Sequence, residues 1–101
     1  MHSIEWAAGL FEGEGCMYAD KGRNPQLLLE MTDKDVVDKF RDVVGVGNVT
    51  DRTYGKSHWK PRYRWTMRKK DEVIRILSAM LPYFGNRRAY KALNILDDLE
   101  L

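Results

Sequence analysis

Ala7-Ala8-Gly9-Leu10-Phe11-Glu12-Gly13-Glu14-Gly15 is the stretch whose reading decides how this chain folds. Just upstream, Ser3 offers a side-chain oxygen as a helix N-cap, and Ile4, Ala7, Ala8, Leu10 and Phe11 make residues 3–13 a helix that is apolar on most sides. A helix of that composition has to be buried on more than one side. Gly9 and Gly13 stand one turn apart, so a second helix can approach until the two backbones nearly touch, which ordinary side chains forbid. Gly13 and Gly15 then turn the chain sharply from helix into strand, and Glu14 is left projecting at the helix terminus. Taken alone, the same residues also fit an ordinary buried helix with a Gly-rich cap and a solvated Glu14.

Downstream the period of the apolar residues alternates between strand and helix. Residues 16–21 are predicted as a first strand, 22–25 as a Gly-Arg-Asn-Pro turn and 26–32 as a second strand, which together make a hairpin. Asp33-Lys34-Asp35 opens a second helix in which Val36, Val37, Phe40, Val43 and Val44 recur at helical spacing, and Gly45 and Gly47 stop it. A third strand over 48–53 and a fourth over 62–68 are joined by the polar segment 54–61. Asp71 is the predicted N-cap of a third helix that carries Val73, Ile74, Ile76, Leu77 and Leu81 and ends near Pro82. The last helix, over 86–99, is predicted to turn Ala89, Leu93, Leu96 and either Ala92 or Leu99 inward. The order is α-β-β-α-β-β-α-α, an α+β class with four antiparallel strands and the helices on one face. With 101 residues there is enough chain for one domain, 1–101, and too little for two.

Composition excludes several classes. Lys and Arg total 17 against 15 for Asp and Glu, and 44% of residues are hydrophobic, as in a globular chain rather than a disordered or polybasic one. No apolar run is long enough to span a bilayer, and the opening MHSIEWAAGL meets Glu5 too early for a secretory signal, so a cytosol-like compartment is expected. The single Cys16 can form neither an internal disulfide nor a zinc site of paired cysteines.

The net charge of +2 conceals a strong asymmetry. Between positions 52 and 70 lie eight basic residues and no acid, interleaved with Tyr54, His58, Trp59, Tyr63 and Trp65. That mixture is the footprint of nucleic-acid binding, although an edge strand protected from aggregation by its charges has the same composition. Arg62, Arg64, Thr66 and Arg68 alternate with Tyr63, Trp65 and Met67, so three arginines project from one side of a sheet. Planar guanidinium forks in such a row suit phosphate and guanine.

The segment from Ala7 to Gly15 resembles the nine-residue signature of the LAGLIDADG homing endonuclease family. It keeps Ala8, Gly9, Leu10 and Gly15 and places acids at both acidic positions. The stretch from Phe40 to Val49 is similar to that family's passage from second helix to third strand, and Leu81-Pro82-Tyr83-Phe84 to its link before the last helix. The resemblance implies a saddle-like four-stranded sheet and a site-specific double-strand DNA endonuclease that hydrolyses phosphodiesters with Mg²⁺ or Mn²⁺ and mobilises an intron or a free-standing gene. It also implies a cytoplasmic, organellar or phage-encoded setting, with no membrane partner. Because only one signature is present, the implied assembly is a homodimer on a roughly palindromic double-stranded DNA site, with Trp6, Gly9, Leu10 and Gly13 at the interface. Glu14 is the implied metal ligand with Gly13 beside it, while Glu12 orients or caps.

Two further catalytic positions carry over with changed residues. Asp33 stands where the family often has a Gln, and Arg87 where it usually has a Lys. Arg can stabilise a phosphate but cannot act as a general base, and Asp33 equally suits the N-cap of the second helix. If Glu14 faces DNA, alternation puts Cys16, Tyr18 and Asp20 on the DNA face of the first strand and Gln26, Leu28 and Glu30 on that of the second. Asn48, Thr50 and Arg52 follow on the third strand, then Arg62, Arg64, Thr66 and Arg68 on the fourth. Lys21, Arg23, Lys56, Lys69 and Lys70 are expected to hold phosphates, and His58 to be a solvated loop residue. A different function on the same scaffold is a non-cleaving DNA-binding regulator or an RNA-binding intron maturase.

Overall fold

The structure is a computed structural model, and it describes residues 3–20, 23–52 and 61–100. Lys21, Gly22 and most of the loop expected over 54–61, with Lys56, His58 and Trp59, lie outside the described residues. Ser3 starts the first helix, its Oγ accepting from the Trp6 N–H at 3.3 Å, and α1 runs Ile4–Glu14. Ala7, Ala8 and Phe11 are its buried residues. The turn that follows is set by packing. A Cβ on Gly15 would run into the Phe11 ring, which is itself held between Phe40 and Phe84 at centroid distances of 6.1 and 6.4 Å.

From Gly15 the chain forms β1, Gly15–Asp20, and then β2, Arg23–Met31, paired antiparallel. The second strand starts earlier than the predicted residue 26, because Arg23, Asn24 and Pro25 join it instead of forming a turn. The register slips between Tyr18 and Asp20, so that Asn24 and Pro25 fall where Ala19 alone stands opposite. Asn24 takes a φ of 48° there, and the missing Pro25 N–H falls at a bulge where no ladder bond is demanded.

The second helix, α2 (Lys34–Val44), has Asp33 at its N-cap and ends at Gly45 in the left-handed region, φ 84°, with the Gly45 N–H donating to Arg41 O at 2.8 Å. Strands β3 (Asn48–Asp51) and β4 (Tyr63–Met67) are shorter than predicted, although the Arg52 N–H still donates to Arg62 O at 2.7 Å just beyond them. The sheet order is β1-β2-β4-β3, antiparallel throughout. Lys69, not Asp71, is the N-cap of α3 (Lys70–Met80); Asp71 and Glu72 occupy its first turn, where their charges complement the helix dipole. A 3-10 turn over Leu81–Tyr83 leads to α4 (Asn86–Glu100).

The inner face of α4 carries Ala92, Ile95, Leu96 and Leu99, the i, i+3, i+4, i+7 stripe. Leu93, predicted to point inward, is 47% exposed because it sits one residue, about 100°, off that stripe. Ala89 is half-buried. These side chains meet those of α1, α2 and α3 over Met17, Leu27, Leu29 and Trp65, all fully buried on one face of the sheet. Trp65 packs edge-on to Phe40 at 4.8 Å, and its Nε1 donates to Val46 O at 2.9 Å. The result is an α+β layer in which, among the described residues, no element covers the opposite face of the sheet.

Candidate nucleic-acid interface

Strand alternation decides which side chains that uncovered face presents. Cys16, Leu28, Thr66 and Asn48 line up across all four strands, and Glu30, Arg64 and Thr50 form the neighbouring row. Tyr18 stands opposite Gln26 and is 51% exposed. Asp20 and Arg23 are partners in the backbone register at the far end of the hairpin. Arg52, Arg62 and Arg68 are exposed at the strand ends. The face therefore gathers the polar residues of the alternating pattern and leaves Leu28 and Cys16 among them, half-buried.

Two clefts flank this face, both basic. Along β3 and β4 a cleft of about 480 Å³ is lined by Asn48, Thr50, Arg52, Arg64, Thr66, Met67, Arg68 and Lys69, with no acid among them. At the other edge, beside β1, a cleft of about 630 Å³ is lined by Cys16, Tyr18, Arg87, Arg88, Tyr90, Lys91 and Asn94. Lys91 Nζ lies 5.9 Å from the centroid of the Tyr18 ring. The Cys16 thiol, chiefly through a hydrogen bond, holds the Tyr18 phenol above its usual value. Arg88, Tyr90, Lys91 and Asn94 belong to none of the motifs legible in the sequence. Their signal is the run Arg87-Arg88-Ala89-Tyr90-Lys91, basic and aromatic residues interleaved outside the apolar stripe.

Glu14 is the last residue of α1 and is exposed. The last turn of that helix holds Glu12 and Glu14 and no basic residue. Carboxylates at a helix C-terminus face the negative end of the dipole and carbonyls without helical partners, an arrangement that a cation relieves. Glu12 is turned elsewhere: its Oε1 accepts from the Gly85 N–H, immediately before α4. That contact ties the end of α1 to the start of the helix whose first turn carries the exposed Arg87. Asp33 occupies the N-cap of α2, exposed and without a side-chain capping bond.

Not every expected DNA contact is an independent one. Glu30 and Arg64, expected as separate contacts, are joined by a 2.9 Å ion pair. On the outer side of α1, Trp6 and Leu10 are half-buried and Gly9 and Gly13 exposed. A Cβ built on either glycine meets nothing within 4 Å.

No family model matches the sequence, and no curated protein matches it. Solved structures do match. The homing endonuclease I-CvuI, crystallised with the I-CreI target and magnesium with its DNA not cleaved, aligns over 96% of this chain with a TM-score of 0.78 at 18% identity. The homing endonuclease I-TnaI aligns over 96% with a TM-score of 0.71 at 18% identity. The archaeal intron-encoded homing endonuclease I-Vdi141I, complexed with DNA, aligns over 93% with a TM-score of 0.67 at 16% identity. The fold is that of the LAGLIDADG homing endonucleases. In this LAGLIDADG fold, the signature-like residues Ala8, Gly9 and Leu10 lie in α1, and Gly15 opens β1. The chain spans 65% of the length of I-CvuI, 71% of I-TnaI and 66% of I-Vdi141I.

Proposed function

We propose that residues 1–101 act as one subunit of a homodimeric, divalent-cation-dependent, site-specific double-strand DNA endonuclease. The observation that carries this reading is the end of α1. Glu14 projects from a helix C-terminus with no cation in its turn, Gly13 precedes it, and Glu12 anchors that end to α4. The sheet that α1 leads into carries two basic clefts suited to phosphate.

Among the described residues no three His, Cys, Asp or Glu side chains gather at a cation-sized site. One chain thus offers Glu14 and the carbonyl oxygens of its helix end, hard oxygen donors that fit Mg²⁺ or Mn²⁺ once a second chain brings its own Glu14 alongside. A divalent cation bound there would supply water activation and charge neutralisation at the scissile phosphate. The exposed Gly9 and Gly13 leave room on α1 for the backbone of a second α1, which is what would bring two Glu14 side chains together. Arg87 would hold the phosphate as a permanent cation and take no proton. The outer sheet face would meet the major groove of a roughly palindromic duplex, Tyr18, Gln26, Asn48, Thr50, Thr66 and the arginines contacting base edges and phosphates.

Glu14→Gln is the direct test. It is expected to retain DNA binding while losing nicking in Mg²⁺ by at least about 10²-fold; full cleavage by the variant would remove Glu14 from the mechanism. A second reading, a non-cleaving DNA-binding regulator or RNA-binding maturase on the same scaffold, is favoured by the acid Asp33 standing where the resemblance implies a Gln. It keeps the sheet as binding surface and leaves α1 as a dimer seam alone.

A further inference from the structure

Arg64 and Glu30 stand opposite each other in the β2–β4 register, on the uncovered face. Arg64 Nη2 donates to Glu30 Oε2 at 2.9 Å. This is no ordinary surface bridge, since the two side chains are only 26% and 18% exposed and Arg64 Nε is buried with no hydrogen-bond partner among the described residues. Shielding a charged pair costs desolvation that an apolar pair would not, and what it gains is a fixed geometry. Arg64 also lines the cleft between β3 and β4, whose other charged residues, Arg52, Arg68 and Lys69, are all cationic. Arg64 in that cleft is therefore held by an acid, and Arg68 and Lys69 at the rim carry charge suited to phosphates.

We infer that Glu30 and Arg64 form a specificity-determining unit, in which Glu30 holds the guanidinium on the sheet so that its remaining donors meet the major-groove edge of a guanine. An arginine free to swing binds phosphate oxygens, which carry no sequence information. Tethered by Glu30, Arg64 is kept from the backbone, and the carboxylate itself repels phosphate. The donors left over match the O6 and N7 acceptors of guanine, and a carboxylate beside them suits the amino group of the paired cytosine. The unit therefore favours G·C at one position in each half-site. This inference rests on the proposed binding of DNA by the sheet.

Wild type, Glu30→Gln and Arg64→Lys are each put through binding selection from a duplex library randomised at every position. Their affinity for one fixed duplex of unrelated sequence is measured over a salt series, with melting curves to verify folding. Wild type is expected to prefer G·C at one position per half-site. Glu30→Gln is expected to lower that preference by about tenfold and to tighten binding to the unrelated duplex. Arg64→Lys is expected to keep affinity for the unrelated duplex and lose the preference, because an ammonium offers no planar fork. A role confined to stability would move melting and leave base preference untouched. Base preference unchanged in the folded variants would overturn the inference while leaving DNA binding intact. Absence of salt-dependent binding by wild type to any duplex would overturn the DNA reading, and this inference with it. Should one variant fail to fold, the other decides.

Discussion

Gly15 has an ordinary strand-like φ of −87°, so its backbone alone would accept any residue. What excludes a side chain there is the Phe11 ring, 1% exposed and fixed between two other aromatic rings. Gly15→Ala is accordingly expected to destabilise the chain by about 1–3 kcal/mol, as overpacking does in a filled core; urea unfolding with an unchanged m-value measures it. Gly47 is constrained twice, by a φ of 105° and by the Trp65 indole that a Cβ would strike. The sequence shows both glycines and suggests turns at both, but it does not show the ring beneath Gly15, since that contact depends on Phe40 and Phe84 arriving from elsewhere in the chain. The same limit applies to Glu12. Its acidic character was legible, whereas its partner, the Gly85 N–H, is 73 residues away.

At the scale of the elements, α1 has an unfinished surface. Its inner residues Ala7, Ala8 and Phe11 are buried, yet Gly9 and Gly13 on the other side have no neighbour within 4 Å of an added Cβ. Gly9→Ala is therefore expected to leave the fold of the isolated chain intact or to stabilise it by up to about 1 kcal/mol through helix propensity. In the proposed dimer the same methyl lies between two backbones, so association weakens. Sedimentation of the variant against wild type across concentration separates the two effects: a shift toward monomer is expected, and an unchanged association constant would place the seam elsewhere. The periods in the sequence located each helix and strand because burial imposes them locally. They misplaced the start of β2, where a bulge absorbs Pro25, and the inward side of α4, where several apolar residues compete and only tertiary packing selects Ala92, Ile95, Leu96 and Leu99 over Leu93.

At the scale of the whole molecule, a nearly neutral chain places Arg52, Arg64, Arg68 and Lys69 in one cleft of the sheet and Arg87, Arg88 and Lys91 in another, while Glu30, Asp38 and Glu72 are held in ion pairs. No helix among the described residues is long and apolar enough to cross a membrane. The α-β-β-α-β-β-α-α order and the faces of the strands were legible because alternation and helical spacing are local properties. The cleft at the start of α4 was not, because β1 and α4 are brought together only by the packed core. The central claim, that two copies of this chain cut DNA with a divalent cation, is tested most directly by incubating wild type with duplex DNA carrying the sequence that flanks its own gene, with and without Mg²⁺. The expected result is Mg²⁺-dependent staggered cuts on both strands at one roughly palindromic site. Binding without a cut in every condition would contradict it.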